Sequence, residues 1–397
     1  MKKHLLLIPM TLFFLTGCTN AIDDEALLDN RQDENISLDS DKITQIEAIE
    51  ISNEVLNKIS TRTTSADIPA FEYVIADKSS QKSASNDTLA YVINYPEDKG
   101  FVILATDKRV NPLLAFSERG HFSFDNVTAK EMFVDKLGLY LERAKSNAPF
   151  DFGDIAFDNS STVEPFIKIS LDQRNPWDKY VIQEHPGCPV GCLAVATALV
   201  MTYSKEELYY HEETWQFKKI ISAIENKNVV VPVRPTPPTK SQGINPLPPI
   251  SMYTYDWGVE RMAKLLYWIG VDLGMTYTTD GSSAPMINSY NLCRDLNYSI
   301  PSGYTNYNIN EVARYLRTDH IICLYGVDLN GEGAHAWVSD GCMATVSVAH
   351  PEQPIVNYIH CDWGWGGSSN GYFKGDVFEV GYKFEVRKYF AVKREWK

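Results

Sequence analysis

The sequence predicts an α+β protein in two parts: a small mixed domain, then a larger one with a helical portion and an antiparallel β portion. Three observations carry this. Residues 70–125 contain short β-branched and aromatic runs ("AFEYVIAD", "TLAYVINYP", "GFVILATD") broken by Asp, Gly and Pro, between segments of helical period. Residues 192–203, "CLAVATALVMTY", are apolar on every face, as a helix enclosed on all sides must be. From Ile321 onward strand-like runs dominate: "IICLYGV", "AHAWVSDG", "VNYIHCDW" and "YKFEVRKYFAV". At 397 residues the chain is long enough for two cores.

The N-terminus has Lys2 and Lys3 before an apolar stretch from Leu5 to Leu15, too short to span a bilayer and typical of an export signal. Thr16-Gly17-Cys18 resembles the lipobox of bacterial lipoproteins, which implies removal of residues 1–17 and lipidation of Cys18. Polar, acidic residues 18–34 then form a tether. The expected location is outside the cytoplasm, as a membrane-anchored lipoprotein (outer membrane, cell surface or periplasmic side) or a secreted protein.

Residues 35–150 form the first domain. A helix is expected where Ile43, Ile46 and Ile49 approach helical spacing; strands follow, and a second helix runs through Met132, Leu137 and Leu141. Residues 151–165, rich in Asp, Ser and Gly, suggest an exposed connector open to proteolytic cutting. The second domain, 166–397, begins with the helix after Cys192 and has a helix candidate at Trp215 to Glu225. The proline-rich "VPVRPTPPTKSQGINPLPP" reads as a surface excursion. Helices are then expected over "YDWGVERMAKLLYWIGVDL" and "NINEVARYLRT", the latter capped by Asn308 or Asn310.

The charge balance, 37 − 51 = −14, is spread without a basic stripe, so nucleic acid is not an expected partner. Six cysteines besides Cys18 admit either three disulfides or free thiols with one reactive member. "CPVGC" at 188–192 admits a disulfide, half of a metal site, or a nucleophile at a helix start. Cys192 would occupy the first turn, where free N–H groups and the helix dipole favour a thiolate; as a plain buried cysteine it would only pack. Cys188 lacks that electrostatic help.

Among the eight histidines, His335 stands at the start of "AHAWVSDG", with Ala334 and Ala336 leaving room around its ring. A strand there puts His335, Trp337 and Ser339 on one face. Asp362, on the next strand, can face the imidazole, whereas Asp340 points the other way. His360 and Cys361 alternate faces, so no metal site is expected, and no organic cofactor is needed. Gly364, Gly366 and Gly367 would let backbone approach a ligand or another chain.

Together with "DQRNPWDKY", "YDWGVERM", "GVDLGMTYTTDGSSA" and "DWGWGGSSNGYF", these motifs resemble, in order, the streptopain-type bacterial cysteine peptidases. That papain-like family is made as precursors with an inhibitory propeptide. The likeness spans Ile167 to Lys397, and "GFVILATDKRVNPLLAFSERGHF" resembles the propeptide and related inhibitor modules. The resemblance implies a papain-like catalytic domain behind the small α+β propeptide domain. It makes Cys192 the nucleophile, His335 the general base and acid, Gln173 an oxyanion-hole donor with the Cys192 N–H, Asp362 the group that orients His335, and Trp363 its shield. Ser282 and Ser283 would border the substrate cleft, with Ala334 beside it. Two residues depart from the family pattern, which usually has Asn at Asp362 and Gly at Ala334.

The implied function is an exported, lipid-anchored cysteine endopeptidase made as a zymogen and working through an acyl-enzyme thioester. Its partners would be protein or peptide substrates, its own propeptide as intramolecular inhibitor, and the membrane through the lipid anchor only. The alternatives are a catalytically impaired binding or inhibitory lipoprotein on the same fold, and a transglutaminase-like enzyme.

Overall fold

Helix α1 (Gln45–Ile59) starts with a capping box: Thr44 Oγ1 accepts the Glu47 N–H at 3.2 Å, and the Glu47 carboxylate accepts the Thr44 N–H at 2.7 Å. Its buried face is Ala48, Ser52, Val55 and Leu56, while Ile46 is exposed. The isoleucine spacing thus located the helix but not its packed face. The computed structural model describes residues 41–59, 69–75, 88–123, 135–145, 150–226, 256–327, 334–379 and 388–395. The export signal, Cys18, the tether and the proline-rich excursion lie outside them. Asp41–Lys397 packs as one compact unit.

The first part continues with β1 (Ala70–Ile75), β2 (Thr88–Asn94), β3 (Phe101–Ala105), β4 (Leu113–Ser117) and α2 (Asp135–Ala144). The segment β5 (Ile155–Phe157) leads to the helical portion, which holds α3 (Val181–Glu184), α4 (Cys192–Ser204), the hairpin β6 (Glu207–Tyr210) and β7 (Glu213–Gln216), α5 (Phe217–Glu225) and α6 (Trp257–Asp272). After it come the hairpin β8 (Thr276–Tyr277) and β9 (Ser282–Ser283), α7 (Met286–Asp295), β10 (Thr305–Asn306) and α8 (Ile309–Leu316). The β portion is β11 (His320–Val327), β12 (Ala334–Ser347), β13 (Val356–Asp362), β14 (Gly371–Lys374) and β15 (Lys388–Lys393). Asp256 caps α6 by accepting the Gly258 N–H at 2.9 Å, and Asn308 caps α8 by accepting the Glu311 N–H at 3.0 Å.

Both parts share one antiparallel sheet, ordered β1-β2-β3-β4-β14-β13-β12-β11-β15-β10, with β5 laid against β12. The seam is β4 on β14, where Phe116 pairs with Tyr372 and Ala115 with Phe373. Phe116 stacks on Tyr372 at 5.3 Å and packs on Tyr358 at 5.4 Å, so aromatic burial reinforces the main-chain ladder. Alternation along β11 sends Ile321 and Cys323 into the core beneath α4 and Ile322 and Leu324 into the opposite core beneath α8.

The stretch 151–165, expected as an exposed connector, keeps exposed residues at Asp151, Gly153, Asn159, Ser160 and Glu164 but is also laid against β12. Ile155, Ala156 and Phe157 pair with Ser347, Val346 and Thr345, and Val163 exchanges hydrogen bonds with Cys342 at 2.7 and 2.9 Å. The Asp154 carboxylate accepts from Ser347 and Ala349, and the Arg317 guanidinium donates to the Ser161 carbonyl at 3.0 Å. Asp154, Asp158 and Val163 hold it to β12 and its flank while Asp151, Asn159, Ser160 and Glu164 face solvent, a tertiary use that composition alone cannot reveal.

Candidate active site

Cys192 is the first residue of α4, and every following residue from Leu193 to Ser204 is buried. The cap, Gly191, has φ +90° and ψ 142°, and a Cβ there would lie 2.8 Å from the Ser282 carbonyl oxygen. Only glycine fits this approach. The loop before it is braced from two sides: the Ser282 hydroxyl donates to the Pro189 carbonyl at 2.6 Å, and Arg174 donates to the carbonyls of Gly187 at 2.6 Å and Thr279 at 3.1 Å. Ser282, expected to border the substrate cleft, is buried and its hydroxyl supports the nucleophile loop, while Ser283 is exposed. Gln173 accepts the Val190 N–H through its carbonyl at 2.9 Å, which ties it to the same loop. Cys188 is buried, and all six described cysteines are free thiols.

Burial pushes the Cys192 thiol above its ordinary range, against the opposing N–H groups of Ala336, Leu193 and Cys192 itself. Desolvation thus opposes the help that the helix start gives a thiolate. His335 opens β12, is 2 % exposed and sits among three indoles: Trp365 at 4.7 Å, Trp337 at 6.1 Å and Trp363 at 6.3 Å between ring centres. Trp365, not the fully buried Trp363, is the nearest cover. The "WGW" spacing was the available signal for it. Ala334, beside His335, is exposed.

His335 Nε2 donates to the Trp363 carbonyl at 2.9 Å. The orienting group is thus a main-chain oxygen one residue beyond Asp362, and Nδ1 is left as the unprotonated nitrogen. The Asp362 carboxylate is turned to its own chain, accepting the Gly364 N–H at 3.0 Å. Asp340 faces away, as its alternation predicts: it accepts from Ile167 N–H at 2.7 Å and pairs with His360 Nδ1 at 2.6 Å. This buried pair had no signal in the sequence, because it crosses a register shift between Ser339 and Gly341. Gly364, Gly366 and Gly367 have φ of +73°, +63° and +87°. A Cβ on Gly364 would stand 2.9 Å from Val195, and one on Gly367 3.0 Å from Ser170, so the close approach they permit is to this chain's own α4 and entry segment.

The thiol and the imidazole are not hydrogen-bonded to each other. Burial lowers His335 to about 4, partly offset by the Trp363 carbonyl. A folded pKa below the unfolded value of roughly 6.5 means that unfolding takes up a proton between these values. The His335 contribution is thus intact above about pH 6.5 and lost as pH falls toward 4, about 3 kcal/mol in all. Asp362, raised to about 6 by burial, acts with the opposite sign and flattens the net curve. Comparing urea unfolding of a Cys192→Ser precursor with and without His335→Gln isolates the histidine: their stability difference should change by about 3 kcal/mol between pH 7 and pH 4, in favour of the glutamine variant at low pH.

A family model described as the Peptidase C10 family matches residues 171–373, just over half of the 397. The chain belongs to that family. A second model, the Spi protease inhibitor, matches residues 40–142 of this C10 peptidase precursor. Streptopain of Streptococcus pyogenes is 24% identical over 322 residues, covering 70% of this chain and 72% of its own, and streptopain of serotype M1 gives the same figures. A fragment of prointerpain A from Prevotella intermedia, a cysteine-to-alanine mutant, matches with 18% identity and a TM-score of 0.49 over 81% of this chain and 98% of its own. The C10 chain is therefore a cysteine peptidase precursor with an inhibitory propeptide, and its α+β architecture agrees with the sequence prediction. Among the described residues no helix is long and apolar enough to cross a membrane.

Proposed function

We propose that the protein is an exported, lipid-anchored cysteine endopeptidase whose nucleophile is Cys192 and whose general base and acid is His335. The observation that carries this is the pairing of a cysteine at the start of a buried helix, its sulfur against the Ala336 N–H, with the neighbouring His335 held through Nε2 so that Nδ1 is unprotonated. In the mature enzyme Nδ1 takes the Cys192 proton, and the thiolate attacks a peptide carbonyl. The Gln173 amide and the Cys192 N–H hold the oxyanion, and the imidazolium protonates the leaving amine. Water, deprotonated by the same imidazole, hydrolyses the thioester. Anchoring through lipidated Cys18 rests on the N-terminal sequence.

A Cys192 thiol and a His335 imidazole that are not hydrogen-bonded to each other suit an inhibited precursor. So does the grip of the first part on the tryptophan turn: the Ser369 N–H donates to the His121 carbonyl and the Ser123 N–H to Ser369 Oγ, both at 3.2 Å. The deciding measurement is mass spectrometry of refolded precursor with and without an epoxysuccinyl thiol-protease inhibitor. Shortening by about a third, blocked by the inhibitor, with the adduct on Cys192, is the expected result. Processing without any adduct on Cys192 would sink the assignment.

The activated chain is expected to retain Ile155 to Val163, because that stretch is hydrogen-bonded to β12 of the catalytic part, whereas the Phe150 N–H is bonded to the Lys108 carbonyl of the first part. Its N-terminal sequence should begin at or before Ile155. A start beyond Val163 would show that those bonds belong to the precursor only.

A further inference from the structure

The oxygen that orients His335 is a peptide carbonyl, and a peptide is oriented by what holds its two ends. The Trp363 N–H donates to Asn370 Oδ1 at 3.1 Å, and the Asn370 amide hydrogen-bonds the Asp362 carboxylate. That carboxylate accepts the Gly364 N–H at 3.0 Å, immediately beyond the carbonyl in question. The Trp363 indole donates to the Ser369 carbonyl at 3.0 Å, which pins the side chain of the same residue. Asn370 and Asp362 thus close a ring of hydrogen bonds around the Trp363 peptide. Asn370 is eight residues from Asp362 across a glycine-rich turn, and the turn is folded back by the Asn370 N–H donating to the Gly367 carbonyl at 3.3 Å.

We infer that Asn370, acting with Asp362, is a positioning residue for the peptidase reaction, holding the Trp363 carbonyl where it accepts the Nε2 proton of His335. This rests on the assignment of Cys192 and His335 as the reacting pair. An imidazolium keeps its Nε2 proton and needs the acceptor more than a neutral ring does, so the clamp stabilises the charged form. Loosening it lowers the imidazolium pKa and raises that of the thiol paired with it, and the pH range in which the ion pair exists narrows from both sides. The charged and titratable groups around the clamp are Asp362 itself, with Asp340, His360 and the buried Cys361 thiol behind it.

The test uses full-length precursors of wild type, Asn370→Ala, Asn370→Asp and the double variant Asp362→Asn/Asn370→Asp. All are processed by immobilised wild-type enzyme and assayed on a peptide substrate across pH. Asn370→Ala should lose about 10- to 100-fold in kcat with KM nearly unchanged, and its kcat/KM profile should narrow on both limbs. Asn370→Asp keeps the acceptor for the Trp363 N–H but sets two carboxylates together, and should also be impaired at neutral pH. The double variant exchanges donor and acceptor between the two positions and rebuilds every bond of the ring, so its kcat should return to within about threefold of wild type. A lowered melting temperature with unchanged kcat and pH limbs would overturn the inference, and so would a double variant no better than Asn370→Asp. If Asn370→Ala does not fold, the comparison of Asn370→Asp with the double variant decides alone. If the wild-type enzyme itself takes no inhibitor on Cys192, the assignment of the nucleophile fails instead, which keeps the two failures apart.

Discussion

A Cys192→Ala precursor is expected to remain full length and to cleave neither itself nor casein, a loss on the order of 10⁴-fold or more. The size follows from chemistry rather than stability. The substitution removes one sulfur atom at a half-buried helix start, leaves Gly191 and its positive φ in place, and keeps the Ala336 N–H and the Arg174 braces. Alanine is also a good helix former, so the melting temperature should move little. Without the thiolate the oxyanion donors have no tetrahedral adduct to stabilise, and the acyl-enzyme cannot form. Intact mass after incubation separates the outcomes: an alanine precursor that still shortens by itself would place the nucleophile elsewhere. In the wild-type precursor, thiol alkylation should follow a raised thiol pKa, then become fast at neutral pH once the first part is removed and the imidazole pairs with the sulfur.

The sequence made legible what depends on short range. The apolar helix behind Cys192, an asparagine cap at Asn308 or Asn310 and the strands after Ile321 all follow local pattern, and the structure has the helix, the strands and the cap at Asn308. What it hid depends on contacts between elements. Phe116 and Tyr372 are both aromatic residues in strand patterns, yet nothing in either strand says that they stack and fuse two expected domains into one sheet. Asp362 was selected because a carboxylate on a neighbouring strand can reach an imidazole. In the structure the turn beyond it brings a backbone oxygen closer, and backbone acceptors carry no sequence signature. The bracing role of Ser282 was hidden for a related reason: a hydroxyl that holds a loop has no mark in the sequence until the Pro189 carbonyl is seen beneath it.

Gly191→Ala is expected to cost about 3 kcal/mol or more and to remove activity with it. Two terms add. At φ +90° and ψ 142° an L side chain occupies a region that is nearly glycine-only, which costs about 1–3 kcal/mol. The new methyl would also stand 2.8 Å from the Ser282 carbonyl oxygen and overlap the Met275 Cε. The methionine can rotate away; the carbonyl cannot, because β9 pairs with β8 and the Ser282 hydroxyl is fixed on Pro189. Relief must therefore come from the residue next to the nucleophile, which shifts Cys192 relative to the Ala336 N–H and to His335. Adding Met275→Ala tests this division. It should recover the part of the melting temperature lost to the flexible contact, yet leave activity low, since the carbonyl overlap and the backbone strain persist. Full recovery of both would mean that Met275 alone sets the need for glycine and that the backbone angle at Gly191 is tolerated.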